Sequence, residues 1–405
     1  MKVQVRPQGK MCLPAGFSFS AACGGIKASG RPDLALVEAG PGTTAAGVFT
    51  KNRVVAAPLE VGRGSLTANR GRLRAVIVNS GNANCATGQA GIRACQQVCR
   101  ELARLLGLRA SEVFPSSTGI IGVPLPVDKI VSKLPELAAA SAATRPRVAA
   151  FARAIMTTDT RPKLAGATFY SGETAVNLLG IAKGAGMIHP QLATMLVYLF
   201  TDAVASPAAL KRLLSDSCEQ TFNSISIDGD TSTNDTVLLL ASGRSGVRLK
   251  EASVRRGFSE ALLQVCRSLA EQIVSDGEGV KHVIRLSVEQ ARNREEARQV
   301  AQTVACSLLV KTAWAGADPN WGRILAAVGR SGIALDPAKV SIKIAEQTVC
   351  RAGAGCAFNE QRAHQALAEP HSEIRIFLGR GKGSILFLTT DLTPEYVRIN
   401  ADYST

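Results

Sequence analysis

Apolar positions recur at two spacings along the chain, and the first part alternates short apolar runs with glycine punctuation. "LALVEAGPG", "AAGVFTKNRVVAAPLEVG" and "LRAVIVNSGNANCATG" read as strands closed by turns. Ile92, Cys95, Val98, Leu102, Leu105 and Leu106 then follow helical spacing, with Gly107 as a fitting stop. The Ala-rich "LPELAAASAATRPRVAAFARAIMTTDTRPK" predicts helix on either side of Pro146, ending at a threonine-rich turn. Residues 184–201 carry no charge over 18 positions, close to membrane-spanning length, but His189, Pro190 and Gln191 sit in the middle. That stretch reads as a loop followed by a strand over 195–200.

Beyond it, "PAALKRLLSDSCEQTF" and "FSEALLQVCRSLAEQIVSDG" predict helices, and "HVIRLSVE" a strand in which Ile284, Leu286 and Val288 alternate with Arg285 and Ser287. A helical "REEARQVAQTVACSLL" precedes further strands in "KVSIKIAEQTVC" and "EIRIFLGRGKGSILFLTTDL". Short strands joined by hairpin-like turns predict a mixed α/β (α+β) fold with mostly antiparallel sheets rather than a doubly wound one. No internal repeat or low-complexity linker divides the 405 residues, a length that suits roughly two domains of about 150–200 residues.

Composition narrows the function classes. A hydrophobic fraction of 46% supplies a globular core. The formal charge of +15 would suit nucleic acid, yet aromatics are 4% and Lys and Arg are scattered singly and in pairs, so anionic small substrates explain it as well and no nucleic-acid partner is expected. The ten cysteines form no CxxC pair and the four histidines are isolated, so no metal site is expected; the cysteines read as small buried hydrophobes in a reducing compartment. "MKVQVRPQGK" has no apolar segment behind its basic residues, so neither a secretory signal nor a membrane is expected, and the expected location is cytoplasmic.

Several motifs invite chemistry. "GRGKGS" has the glycines of a phosphate loop, but its Lys382 is followed by Gly383 and it lies between strands, so it reads as a hairpin turn. "STG" at 117–119 sets a hydroxyl beside an unshielded glycine amide, which suits an oxyanion hole. "MTTDTRPK" clusters Asp159 and Lys163 with threonines. "IDGDTSTNDT" holds Asp228, Asp230 and Asp235 but lacks the later glutamate of a calcium loop, and reads as a polar turn between a helix and a strand. His189, His282, His364 and His371 fit no nucleophile elbow.

"KGAGMIHPQLATML" has two readings. Thr194 is β-branched and suits the start of a buried strand. Alternatively it is a nucleophile: a threonine freed by attack of its own Oγ on the preceding carbonyl would carry a base in its α-amino group. Such an N-to-O acyl shift needs a strained or glycine-supported backbone, a small preceding residue and an oxyanion donor, and the stretch offers Gly184, Gly186, Pro190 and Ala193 for those roles.

This stretch, with "SGNANCATG", "STGIIG", "MTTDT", "DGDTSTNDT", "KTAWAGADPNWGRILAAVGRSG" and the terminal "RINADYST", closely resembles the ornithine acetyltransferase family of arginine biosynthesis, the bifunctional glutamate N-acetyltransferases. The match runs from "GIKASGRPDLAL" to Thr405. Leu308 departs from it, standing where the family more often has proline, and "NANCATG" orders its Cys and Ala differently from a common variant.

The resemblance implies a fold similar to the N-terminal-nucleophile-like amidohydrolases of the DmpA type. It implies self-cleavage between Ala193 and Thr194 into an α chain of 1–193 and a β chain of 194–405, assembled as an α2β2 heterotetramer. It also implies that Thr194 is the nucleophile, that Thr118 and Gly119 hold the oxyanion, and that Thr157, Lys183, Thr194, Glu278, Asn400 and Thr405 contact substrate. The implied reaction is ping-pong transfer of acetyl from N2-acetylornithine to glutamate, without metal or bound cofactor, acetyl-CoA being a further co-substrate in bifunctional members. An amidase or aminopeptidase of the same fold is the alternative.

Overall fold

Pro58, Pro146, Pro207 and Pro394 each stand in the first turn of a helix. The computed structural model describes residues 3–6 (backbone only), 11–189 and 195–402, so Ala193, Thr194 and Thr405 lie outside the described residues. The chain begins with β1 (Val3–Arg6), β2 (Phe17–Ala22), β3 (Leu34–Ala39), β4 (Thr44–Phe49), α1 (Ala57–Ala68), β5 (Ala75–Asn82), α2 (Gly88–Leu106) and β6 (Val113–Ile120). It continues through α3 (Val127–Ala139), α4 (Arg145–Ala154), β7 (Lys163–Ser171) and β8 (Thr174–Lys183). After residue 194 follow β9 (Leu196–Thr201), α5 (Pro207–Gln220), β10 (Thr236–Ala241), α6 (Ala252–Ser275), β11 (Val283–Ala291), α7 (Arg294–Ala305), α8 (Leu308–Ala315) and α9 (Trp321–Gly329). The chain closes with β12 (Ser341–Ile344), β13 (Gln347–Arg351), β14 (Ala354–Gly355), α10 (Glu360–Ala368), β15 (His371–Phe377), β16 (Gly383–Thr390) and α11 (Pro394–Asp402).

α2 is a helix as read, and Cys95, Val98 and Leu102 are buried on one face together with Cys99, but Ile92 and Leu106 are only half-buried and Leu105 is exposed; Gly107 closes the helix at φ 65°. α3 and α4 flank the break at 140–144, with Pro146 in the first turn of α4, where its missing N–H costs nothing. One strand reading fails. "APLEVG" opens α1 rather than extending a strand, because Pro58 sits in the first helical turn and Glu60 suits the positive end of the helix dipole.

The strands form three sheets, ordered β1-β7-β8-β9-β10-β4, β2-β3-β5-β6 and β14-β13-β12-β15-β11-β16. Between these strands parallel pairing is limited to β5 with β6, β9 with β10 and β11 with β15, and the other strand pairs among the described residues are antiparallel. The fold is therefore mixed α/β with mostly antiparallel sheets, as the pattern predicts. "GRGKGS" is not a hairpin turn, however. β15 and β16 do not pair: β11 lies between them, and the loop crosses its end, where Gln290 O accepts from the N–H groups of Arg380 and Gly381. The reason is burial, since Ile284, Leu286 and Val288 are all enclosed in one core and make β11 an interior strand.

Two of the sheets are stacked between helices. Val197, Leu199, Val237 and Leu239 pack on α5 and α6, while Leu196, Tyr198, Phe200, Leu238 and Leu240, on the opposite face, pack on Phe19, Val37 and Val76 of the second sheet. The far side of that second sheet is covered by α2 and α3 through Val98, Leu102, Ile130 and Leu134. Four cysteines depart from the reading as buried hydrophobes: Cys12 and Cys23 are exposed, and Cys306 and Cys356 are half-buried. Among the described residues no helix is long and apolar enough to cross a membrane.

Candidate active site

A cavity of about 240 Å³ opens where the ends of β6 and β8 meet the loops after α4, before β10 and after α6. It is lined by Thr118, Gly119, Thr157, Lys183, Glu278 and Asn400, together with Met187, Asp228, Asp230, Asn234 and Tyr396. The volume falls below the ~300–1,000 Å³ of drug-sized sites, so it suits a small polar molecule.

Thr118 and Gly119 end β6, where its parallel pairing with β5 becomes irregular beside Gly81 and Asn82. Gly119 adopts φ 131°, and a Cβ there would fall 2.6 Å from Asn82 N and closer still to the Gly81 carbonyl carbon, so the position admits no side chain. No side chain of residue 119 therefore shields its own amide. Lys183 ends β8, is buried, and donates from Nζ to Thr118 Oγ1 at 3.2 Å. Burial lowers the Lys183 pKa from the ordinary lysine value, against the opposing pull of Asp159.

Asp159 anchors the neighbouring backbone. It accepts from Thr157 N at 3.1 Å, from Gly184 N at 2.6 Å and from Lys163 Nζ at 2.6 Å. Burial alone would raise its pKa; Lys183 and Lys163 outweigh that and hold it near 2. On the opposite wall, Glu278 donates its N–H to Ala185 O at 2.9 Å, and its carboxylate lies so close over Gly186 that a side chain there would collide with it. At the exposed rim Asn400 Nδ2 donates to Glu278 Oε2 at 2.8 Å and to Tyr396 O at 3.0 Å.

The turn at 227–236 belongs to the site, which the reading as a plain polar turn missed. Asp228 accepts from the N–H groups of Met187, Ile188 and Asp230, and Met187 sits at φ 57°, a strained conformation for a side-chain-bearing residue that the carboxylate holds in place. Asn234 Nδ2 ties the wall to the first half of the chain through Ala83 O at 2.7 Å and Ser117 O at 2.9 Å. Asp235 Oδ1 accepts from Met195 N at 3.0 Å, and burial pushes the Asp235 carboxyl well up. The Asp and Asn residues clustered in "IDGDTSTNDT" were the available signal for this wall. Tyr396, an isolated aromatic, left none.

Burial also pushes the Asp228 carboxyl up to about 6 despite its backbone donors, with Asp230 adding to the rise. The folded pKa thus exceeds the unfolded ~3.9, so the associated stability is present below about pH 4 and lost as pH rises through 6. We expect wild-type stability, relative to Asp228→Asn, to fall by at most about 3 kcal/mol between pH 4 and pH 7 in paired thermal melts. A constant difference across that window would contradict the assignment.

Six of the sequence-predicted site residues, Thr118, Gly119, Thr157, Lys183, Glu278 and Asn400, converge on this one cavity; Thr194 and Thr405 fall outside the described residues. Among the described residues no group of three or more His, Cys, Asp or Glu is placed to hold a metal ion. A buried cation and acidic side chains on two walls give this mixed α/β fold one small cavity suited to a small polar ligand. The sequence pattern of the ArgJ family matches residues 18–405, and the chain belongs to that family, which makes it an acetyltransferase of arginine biosynthesis.

The chain is 45% identical over 400 residues to the arginine biosynthesis bifunctional protein ArgJ of Methylococcus capsulatus, covering 98% of this chain and 97% of that one. Against the protein of the same name from Thermus thermophilus it is 45% identical over 394 residues, covering 97% and 99%. The crystal structure of ornithine acetyltransferase complexed with ornithine from Mycobacterium tuberculosis matches at 38% identity and a TM-score of 0.44, over 48% of this chain and 100% of that one.

Proposed function

We propose that the protein transfers the acetyl group of N2-acetylornithine to glutamate through an acetyl-threonine on Thr194, after cleaving itself between Ala193 and Thr194. The observation that carries this reading is the 3.2 Å bond from Lys183 Nζ to Thr118 Oγ1, beside Gly119, which has no side chain to shield its amide. With Lys183 donating to its oxygen, the Thr118 hydroxyl keeps its own proton for a third party. A hydroxyl and an amide side by side suit a developing oxyanion.

In the first half-reaction the Thr194 amine takes the proton from Oγ as Oγ bonds to the acetyl carbon. The tetrahedral intermediate collapses as that proton passes to the leaving nitrogen, and ornithine departs. In the second, the glutamate amine attacks the threonine ester and gives up a proton to the Thr194 amine; the bond from Oγ to the acetyl carbon breaks as Oγ takes that proton, and N-acetylglutamate leaves. Lys183 suits the substrate α-carboxylate, and Glu278 the ornithine side-chain ammonium, with Thr157, Asn400 and Thr405 completing the contacts. The chemistry draws on no metal or bound cofactor; acetyl-CoA enters as an alternative acetyl donor, and the cleaved chains 1–193 and 194–405 work as an α2β2 assembly in the cytoplasm.

The test is isotope exchange. Incubated with N2-acetylornithine and labelled ornithine but no glutamate, the enzyme should return label to N2-acetylornithine, because the first half-reaction is reversible on its own. Absence of exchange in an enzyme that turns over with glutamate would overturn the acetyl-threonine route. Acetate release at a rate unchanged by glutamate would favour an amidase.

A further inference from the structure

Three segments feed the cavity, and one buried ammonium ties them together. Lys163, the first residue of β7, has a fully buried side chain and donates from Nζ to Asp159 Oδ1 and to Asp276 Oδ2, each at 2.6 Å. Asp159 accepts from the backbone of Thr157 and Gly184. Asp276 accepts from Thr160 N at 3.1 Å and from the Thr160 hydroxyl. Thr157 lines the pocket itself, Gly184 directly follows Lys183, and Asp276 lies two residues before Glu278.

Charges so placed need a reason. Burying an ammonium and two carboxylates costs several kcal/mol per ion, and well-packed apolar residues often serve stability as well. What an apolar cluster cannot do is fix directions. Here each carboxylate has one oxygen or both committed to a backbone N–H of a site loop, and the shared ammonium sets the distance between the two carboxylates.

We propose that Lys163 is a positioning residue for both ends of the substrate: through Asp159 it sets the strand end bearing Lys183 and the loop bearing Thr157, and through Asp276 the loop bearing Glu278. The proposal rests on the acetyl-transfer reading, in which Lys183 holds the α-carboxylate and Glu278 the side-chain ammonium. Lys163 touches no substrate. Its removal leaves every contacting group present but lets the two ends of the pocket drift, and a misplacement of about 1 Å suffices to cost about 10²-fold.

The experiment compares wild type, Lys163→Met and Asp276→Asn for acetyl transfer from N2-acetylornithine to glutamate, with each protein's folding checked by circular dichroism and its processing by intact mass. Lys163→Met should lose about 100-fold in kcat/KM, most of it in KM and for both substrates. Asp276→Asn, which frees the Glu278 loop and keeps the Lys163 to Asp159 pair, should raise KM for N2-acetylornithine more than for glutamate.

A merely structural role lowers the active fraction, so a folded Lys163→Met enzyme with reduced kcat and unchanged KM values overturns the proposal. Should Lys163→Met fail to fold, Asp276→Asn decides alone: a selective rise in KM for N2-acetylornithine supports positioning, and unchanged KM overturns it. A wild-type protein that transfers no acetyl group would instead overturn the reading beneath, which separates the two failures.

Discussion

The Thr194→Ala protein is expected to emerge as one uncleaved 405-residue chain and to transfer acetyl groups at least ~10⁴-fold more slowly than wild type. In the proposed mechanism one hydroxyl would serve both events, attacking the Ala193 carbonyl during processing and the acetyl carbon during catalysis once the amine is released. The sheet explains why cleavage would not separate the products. β8 and β9 are antiparallel neighbours paired from Leu178 with Thr201 to Lys183 with Leu196, so the connection carrying residues 193 and 194 joins two strands already held by backbone hydrogen bonds. β9 pairs in turn with β10 in the sheet interior, and its two faces contribute to different cores.

Wild type should therefore show two masses under denaturing conditions, summing to the full chain plus one water, and a single assembled species under native ones. Thr194→Ser should retain processing, because it keeps the hydroxyl. A Thr194→Ala protein that is processed and active would end the proposal, since neither step would then need the hydroxyl.

The periodic parts of the fold were legible because burial on one face leaves a mark at fixed spacing, as in α2 and β11. α1 was not, because its exposed positions and its two glycines dilute the apolar face, and Pro58 alone signals its start. The place of "GRGKGS" was illegible for another reason: local sequence marks a turn, but whether the flanking strands pair depends on β11, some ninety residues earlier. The site divides in the same way. Thr118, Gly119, Thr157, Lys183, Glu278 and Asn400 came from motif resemblance and converge in space. The wall built by Asp228 and Asn234 becomes visible only when their bonds to Met187, Ile188, Ala83 and Ser117 are seen.

Gly119→Ala is the second large effect, with an expected loss of about 10²–10³-fold in kcat and a much smaller change in KM. The added methyl meets backbone on the neighbouring strand, at Gly81 and Asn82, where no side-chain rotation can make room. The alanine also resists φ 131°, so strain and collision push the end of β6 the same way, out of its pairing with β5. The residue 119 amide moves with it, and so does Thr118 Oγ1, at the cost of its bond from Lys183. Both proposed oxyanion donors would then be displaced while Glu278 and Asn400, bonded to each other on the opposite wall, stay in place. That is why the loss should fall on the transition state rather than on substrate binding. Processing should slow as well, since the Ala193 carbonyl passes through its own oxyanion, and uncleaved chain should accumulate on a denaturing gel. Thr118→Val, which removes one donor without moving the backbone, should give a smaller loss. A folded Gly119→Ala enzyme with wild-type kcat would take residue 119 out of the oxyanion role altogether.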